Sequence, residues 1–353
     1  MAAAASTSTD GGAPRLSPVL VTGGAGYVGC VLVPKLLEAG YAVVVYDLML
    51  FGAEGVPVHP NLRVVRGDIR DTERFAAAVA GAHSVIHLAC ISNDPSYELD
   101  PALSKTINYD CFEPLVAACK AAGVRRFMYA SSSSVYGVSD VPEVTEEFPL
   151  RPLTDYSRYK GLCEQVLLRY QSPTFTTVIL RPATVCGYSP RMRFDLTVNI
   201  LTNHAVTRRL ITVFGGAQQR ASLHIEDMAE VYLRCLALPD TLVAGGIFNV
   251  GRENHPVARL AELVRAIVER EMPGEPIGIR TSPTDDLRSY HICSRRIAER
   301  LGYAPTRSVQ DAVSDLCAAF RAGKLPNSLT DERYVNVKTV QAMTPRLLLE
   351  AVR

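Results

Sequence analysis

Three side-chain types in this sequence stand at spacings that suit proton transfer at the oxygen of a bound substrate. Tyr156 and Lys160 form Y-x-x-x-K, which on a helix sets a phenol and an ammonium on one face, a turn apart. Upstream, Ser131–Gly137 reads SSSSVYG directly after an apolar run. A serine at the end of a strand can reach both a tyrosine on the following helix and a bound substrate.

A second group suits phosphate. The apolar run Pro18–Val21 leads into Thr22-Gly23-Gly24-Ala25-Gly26-Tyr27-Val28-Gly29. Gly24, Gly26 and Gly29 fit G-x-G-x-x-G, and Gly23, Gly26 and Gly29 fit the wider G-x-x-G-x-x-G. Glycine lets the backbone turn tightly and approach a pyrophosphate, which then meets the amides and positive dipole end of the following helix. Asp47 closes the next strand (VVVYD) at the distance expected of a ribose-binding carboxylate. Such a carboxylate would repel a 2′-phosphate, so NAD is expected rather than NADP. Asp68, in RGDI, reads equally as a partner of the adenine amine or as a helix-entry residue.

These groups need a scaffold of alternating strands and helices, and the chain supplies one. Strands are expected at Pro18–Val21, Tyr41–Tyr46, Leu62–Val65, Ser84–Leu88, Arg126–Ser131 and Phe175–Leu180. Helices are expected at Tyr27–Ala39, Asp71–Ala80, Pro101–Ala122 and Tyr156–Tyr170. Apolar strands in βαβ alternation predict an α/β fold, a doubly wound parallel sheet of Rossmann type covered on both faces. The chain then changes character. Loops lengthen after Arg181, and helices at about Asp195–Thr207 and Pro256–Glu271 interrupt the pattern. The reading is a dinucleotide domain at 15–183 with a return segment at about 224–251. A smaller mixed α/β substrate lobe follows at 184–223 and 252–325, and a C-terminal extension at 326–353, where Thr339–Arg353 is either a docked helix or a frayed tail.

Taken together, the glycine turn, Asp47, His87-Leu88-Ala89, Asn108, SSSSVYG, Tyr156-x-x-x-Lys160 and Arg181-Pro182 resemble the extended short-chain dehydrogenase/reductase family. The likeness is to its NAD-dependent epimerase/dehydratase members, of which UDP-glucose 4-epimerase is the best known, and it runs from about Leu16 to Val313. The resemblance implies that Tyr156 is the catalytic acid/base, Ser132 its hydrogen-bonding partner at the same substrate oxygen, and Lys160 a cation serving both Tyr156 and the nicotinamide ribose. A phenol ionises near pH 10 in water, and nearby cations favour the phenolate. Cofactor contacts are implied at Gly23, Gly26, Tyr27, Val28, Gly29, Asp47, Asp68, Ile69, Leu88 and Lys160.

The family's 4,6-dehydratases carry an acid just after the catalytic Ser/Thr, and its decarboxylases a glutamate at the position of Ser134. Here those positions are Ser133 and Ser134, so epimerisation of a nucleotide-diphosphate sugar is the leading expectation. A nucleotide-sugar dehydrogenase or ketoreductase is the runner-up, a dehydratase on the same scaffold stands beside it as an alternative, and a non-catalytic NAD-binding regulator is a third reading. The substrate diphosphate calls for arginines. Arg220 and Arg288 match the family's positions, Asn199 does so less securely, and Arg191 and Arg193 lie at the pocket mouth. Asn93 and Asp94, after the fourth strand, are either sugar contacts or plain turn residues, and Ser133 joins Ser132 on the substrate side. His87 and His224 read as structural. The stretch from Ala183 to Ala205 departs from the plain epimerase pattern and suggests an unusual sugar. Family members pair two long helices per subunit, which implies a homodimer through about 101–122 and 156–170.

Composition narrows the setting. The 353 residues are 48% apolar with a formal net charge of +1. Nothing in that balance draws the chain to nucleic acid or to a membrane surface. Nine scattered cysteines form no metal-ligand pattern and fit a reducing compartment. Residues 1–14 are small, polar and unlike a signal peptide. They are read as a disordered tail on a cytoplasmic enzyme.

Overall fold

Short apolar runs rich in β-branched residues become the strands, because both faces of a parallel sheet are buried under helices. The computed structural model of the chain describes residues 16–139, 141–284, 289 and 291–350. The expected tail at 1–14 and Arg288 lie outside the described residues. Leu16–Thr22 (β1), Gly29–Glu38 (α1), Tyr41–Asp47 (β2), Leu62–Arg66 (β3), Thr72–Val79 (α2) and Ser84–His87 (β4) form the first half of the nucleotide-binding alternation. Asp94–Tyr97 (α3), Pro101–Lys105 (α4), Phe112–Ala121 (α5), Arg126–Ala130 (β5), Asp155–Tyr170 (α6) and Thr176–Pro182 (β6) form the second.

After β6 come Thr184–Cys186 (β7), Thr197–Arg208 (α7), Leu210–Phe214 (β8), Gln219–His224 (β9), Ile225–Ala237 (α8), Asp240–Val243 (α9) and Gly246–Val250 (β10). Glu253–Pro256 (β11), Val257–Glu271 (α10), Gly278–Ser282 (β12), Arg295–Leu301 (α11), Val309–Arg321 (α12) and Asn336–Glu350 (α13) close the chain. The main sheet has seven strands in the order β10-β6-β5-β4-β1-β2-β3, all paired in parallel. Strand order reverses between β1 and β4, so the glycine turn after β1 opens at a topological switch point. Two small sheets, β11-β9-β7 and β12-β8, stand apart from it. A third apolar cluster, drawn from α7, α10 and α12, backs this region.

Two elements differ from the sequence reading. The helix expected over Pro101–Ala122 is broken by a π-helical turn at Thr106–Asp110. Inside it, Asn108 accepts from the Ile91 amide at 2.8 Å and donates to the Ile91 carbonyl at 2.9 Å. The widened turn presents this amide to the loop after β4, as π-turns at functional sites commonly do. At the C-terminus, α13 begins at Asn336, before the ambiguous segment, and Val340 packs into a core cluster. Among the described residues, no helix is long and apolar enough to cross a membrane, and no group of side chains could hold a metal ion. Seven of the nine cysteines are buried and all are free.

Under the sheet's C-terminal edge lies an ion pair, Arg181 on β6 with Glu164 on α6, at 2.5 Å and with side chains 4% and 2% exposed. Ser131 also donates to Glu164, and Arg181 donates to the Tyr136 hydroxyl at 2.7 Å. Removing one member strands a buried charge. Glu164→Leu is therefore expected to cost about 3–5 kcal/mol in urea unfolding, and the double variant Glu164→Leu/Arg181→Met to recover much of it.

Candidate functional site

The turn between β1 and α1 is built from backbone that side chains would block. Gly23 has φ +72°, and a Cβ there would lie 2.7 Å from the Ala89 amide nitrogen. A Cβ on Gly29 would lie 2.5 Å from the Gly24 carbonyl oxygen. No side chain caps α1, whose N-cap is Val28; the Cys30 amide instead bonds the Gly26 carbonyl at 2.9 Å, so the helix grows directly out of the glycine turn and its positive dipole end meets the cleft wall formed by Gly26, Tyr27, Val28 and Gly29. Asp47 is fixed from both sides: one carboxylate oxygen accepts from the Ala25 amide at 2.9 Å, the other from Met49 at 2.7 Å. Each oxygen keeps a lone pair for a ribose hydroxyl. Burial raises the Asp47 carboxyl above its ordinary value, against those two amides. These features fit a dinucleotide at this turn.

A single cleft of about 400 Å³ joins the turn to the serine–tyrosine set. Gly23, Gly26, Tyr27, Val28, Gly29, Asp47, Asp68, Ile69 and Leu88 line it, as do Asn93, Asp94, Ser132, Ser133, Tyr156, Arg191 and Arg220. Lys160 stands behind that wall. It is 5% exposed, donates to the Ala130 carbonyl at 2.7 Å and lies 5.8 Å from the Tyr156 ring centroid. Asn199 is fully buried outside the lining. It accepts from the Gly187 amide and donates to the Tyr27 hydroxyl and the Arg193 carbonyl, each at 3.0 Å. Its visible task is to hold the loop after β7 against the glycine turn.

The four serines divide their work. Ser131 is tied to Glu164. Ser132 accepts from the Ser134 amide at 3.1 Å and the Ser134 hydroxyl at 2.8 Å, which fills both lone pairs and leaves its proton to donate into the cleft. A file of hydroxyls continues behind it, Ser157 to Ser134 at 2.9 Å and Thr154 to Asp94 at 2.6 Å. Thr154 is also the N-cap of α6, so the network that orients Ser132 starts the helix that carries Tyr156.

The other cleft carboxylates are engaged too. Asp68 holds Arg70 through both oxygens, the closest approach being 2.6 Å. Asp195 pairs with Arg193 at 2.9 Å and accepts from Asn93 at 2.8 Å. Burial alone would raise the Asp195 carboxyl, but Arg193 outweighs it and holds it below its ordinary value. Arg220, 8% exposed, also lines the cleft and donates to the Gln219 carbonyl at 3.0 Å. Sequence reasoning did not find Phe51 or Asn336, which also line the cleft. Phe51 lies in a loop without periodicity, and Asn336 is 145 residues from its partner Arg191, so no local pattern marks either.

Comparison with known proteins agrees with this geometry. Residues 19–251 match the family model of the NAD dependent epimerase/dehydratase family. UDP-glucose 4-epimerase of Yersinia pestis is 28% identical over 334 residues, covering 84% of this chain and 95% of its own. UDP-glucuronic acid decarboxylase 2 of Arabidopsis thaliana is 27% identical over 316 residues, covering 86% and 68%. Among solved structures, Thermus thermophilus UDP-glucose 4-epimerase in complex with NAD superposes with a TM-score of 0.73 at 26% identity. That match covers 86% of this chain and 99% of the other.

His87 stands at the end of β4, with its Nδ1 2.8 Å from the Thr22 hydroxyl. Burial, with Lys160 nearby, pushes its pKa down to about 3. The unfolded chain takes up a proton here below about pH 6.5, while the folded chain resists until about pH 3. Stability from this group is therefore present above 6.5 and lost as pH falls. Urea midpoints should show about 2 kcal/mol more loss between pH 7 and pH 5 in the wild type than in His87→Asn. Equal losses would remove His87 as the cause.

Proposed function

Because the chain belongs to the NAD-dependent epimerase/dehydratase family, we propose that it inverts a hydroxyl-bearing carbon on the sugar of a nucleotide-diphosphate sugar, by way of a transient keto-sugar. NAD, when bound, supplies a reversible acceptor for the hydride. The chain's own residues manage the proton. The Tyr156 oxygen takes it from the sugar hydroxyl, and Ser132 donates a hydrogen bond to that oxygen as it becomes a carbonyl. The buried Lys160 ammonium, 5.8 Å from the Tyr156 ring, favours the ionised phenol. Return of the proton from Tyr156 completes reduction on the other face.

The observation that carries the choice of epimerase is the hydroxyl network at Ser132–Ser134. A dehydratase must deliver a proton to a departing hydroxyl, and the two positions after Ser132 are serines, Ser134 bonded to the hydroxyls of Ser132 and Ser157, rather than a carboxylic acid. The four carboxylates lining the cleft, Asp47, Asp68, Asp94 and Asp195, each already hold partners. Epimerisation asks for no acid beyond Tyr156. Uridine diphosphate sugars are the first class to test, since the relatives named above act on UDP-glucose and UDP-glucuronic acid. Arg220 and Arg193 are the arginines proposed to face the substrate. A homodimer through α5 and α6 is part of the same proposal, with sedimentation of the purified chain at twice the mass of one subunit as the expected result.

The enzyme is mixed with UDP-, GDP-, dTDP- and CDP-sugars in deuterated water, with mass and 340 nm absorbance followed. Epimerisation gives an isomer with no accumulated NADH, and Tyr156→Phe slows it by about 10²–10⁴-fold. Accumulating NADH would make the chain a dehydrogenase. Loss of water or carbon dioxide from the sugar would overturn the reading of Ser133 and Ser134.

A further inference from the structure

The segment after β7 crosses the first turn of α1. There the Arg191 backbone amide sits on the Cys30 thiol, and the Arg191 side chain lines the same cleft as the glycine turn. Its guanidinium carbon lies 3.7 Å from the Phe51 ring centroid, and its Nη2 donates to the side-chain oxygen of Asn336. Arg191 is 7% exposed, its Nε has no partner, and it lines the same cleft wall as Gly26, Val28 and Asp47. Its neighbour Arg193 has a carboxylate, Asp195. Arg191 hydrogen-bonds an amide oxygen and covers a ring face, and the two carboxylates near enough to act on it, Asp195 and Asp47, are already held, the first by Arg193 and the second by the Ala25 and Met49 amides. A guanidinium taken out of water this far is costly unless an anion joins it. Burial, with Arg193 beside it, pushes the Arg191 pKa down to about 9.

Asn336 is the first residue of α13 and 3% exposed. Its oxygen faces Arg191, its Nδ2 donates to the Ser92 hydroxyl at 2.8 Å, and its backbone amide donates to Asp195 at 3.2 Å. It therefore pins the C-terminal segment to the loop after β4 and to the loop that carries Arg191.

We propose that Arg191 closes over the diphosphate of the bound dinucleotide and that Asn336 is the positioning residue that holds it there, making the C-terminal segment a latch that retains the cofactor. The inference rests on NAD being the ligand of the glycine turn. A diphosphate is also present in a sugar nucleotide. The anchoring of Arg191 on the first turn of α1 and its place beside Asp47 select the cofactor's.

Calorimetric titration of cofactor-stripped enzyme separates the possibilities. The ligands are NAD, ADP-ribose, adenosine and UDP, and the proteins are the wild type, Arg191→Gln and Asn336→Leu. The expected result is at least tenfold weaker NAD and ADP-ribose binding by Arg191→Gln and several-fold weaker binding by Asn336→Leu. Adenosine and UDP should be unchanged, and NAD should dissociate faster from both variants in stopped flow. Arg191→Lys, a cation without the planar fork, should restore part of the loss. Weakened UDP with unchanged NAD would move Arg191 to the substrate, and equal loss of adenosine would reduce it to a fold-supporting role. Either result overturns the latch, as does unchanged NAD binding. A wild type that binds neither NAD nor ADP-ribose would instead sink the cofactor assignment beneath it.

Discussion

Glu164 and Arg181 are buried face to face between α6 and β6, and the active cleft depends on that contact. A buried ion pair is tolerated only when its geometry is good and its remaining hydrogen-bonding groups are met. Here Ser131 and the Tyr136 hydroxyl meet them, and Tyr136 in turn donates to Asn249 on β10 at 2.7 Å. One network thus spans the ends of β5, β6 and β10 together with α6. Because Tyr156, Lys160 and Glu164 are spaced by four residues, they form one stripe on the helix. Fixing Glu164 fixes the roll and the axial position of α6, and so where Tyr156 and Lys160 point.

The cleft is lined with charge, yet its carboxylates all have partners. Amides hold Asp47, arginines hold Asp68 and Asp195, and a threonine hydroxyl holds Asp94. Beside Ser132 the groups are hydroxyls. The wall is therefore rich in oriented acceptors and donors and poor in mobile acid, which suits a reaction that shuttles one proton through one phenol. The same economy explains His87, which lies under the cleft neutral and hydrogen-bonded.

The parallel sheet was readable because its strands are buried on both faces and stand out as apolar runs between helical periods. The glycine turn, Asp47 and the tyrosine–lysine pair were readable because their chemistry requires short, fixed spacings. What escaped was long-range. Asn199 carries the right chemistry for a ligand contact, but its amide is used by Gly187, Tyr27 and Arg193, and only the three-dimensional neighbours reveal that. The π-turn at Thr106–Asp110 interrupts a sequence that has helical periodicity throughout, and what sets it apart is a partner, Ile91, on another element. Phe51 and Asn336 sit in stretches without pattern, and their roles come from what folds against them.

The placement of Asn336 also orders events during synthesis. It meets Ser92 across 244 residues and Arg191 across 145, so these are among the contacts whose loop closure comes last. The strands β1 to β6 all lie within residues 16–182 and can pair while the ribosome is still at work. The contacts of Asn336 with Arg191 and Ser92 must wait until the start of α13 has emerged. A nascent chain stalled before α13 therefore has its sheet in place while Arg191 still lacks the Asn336 amide.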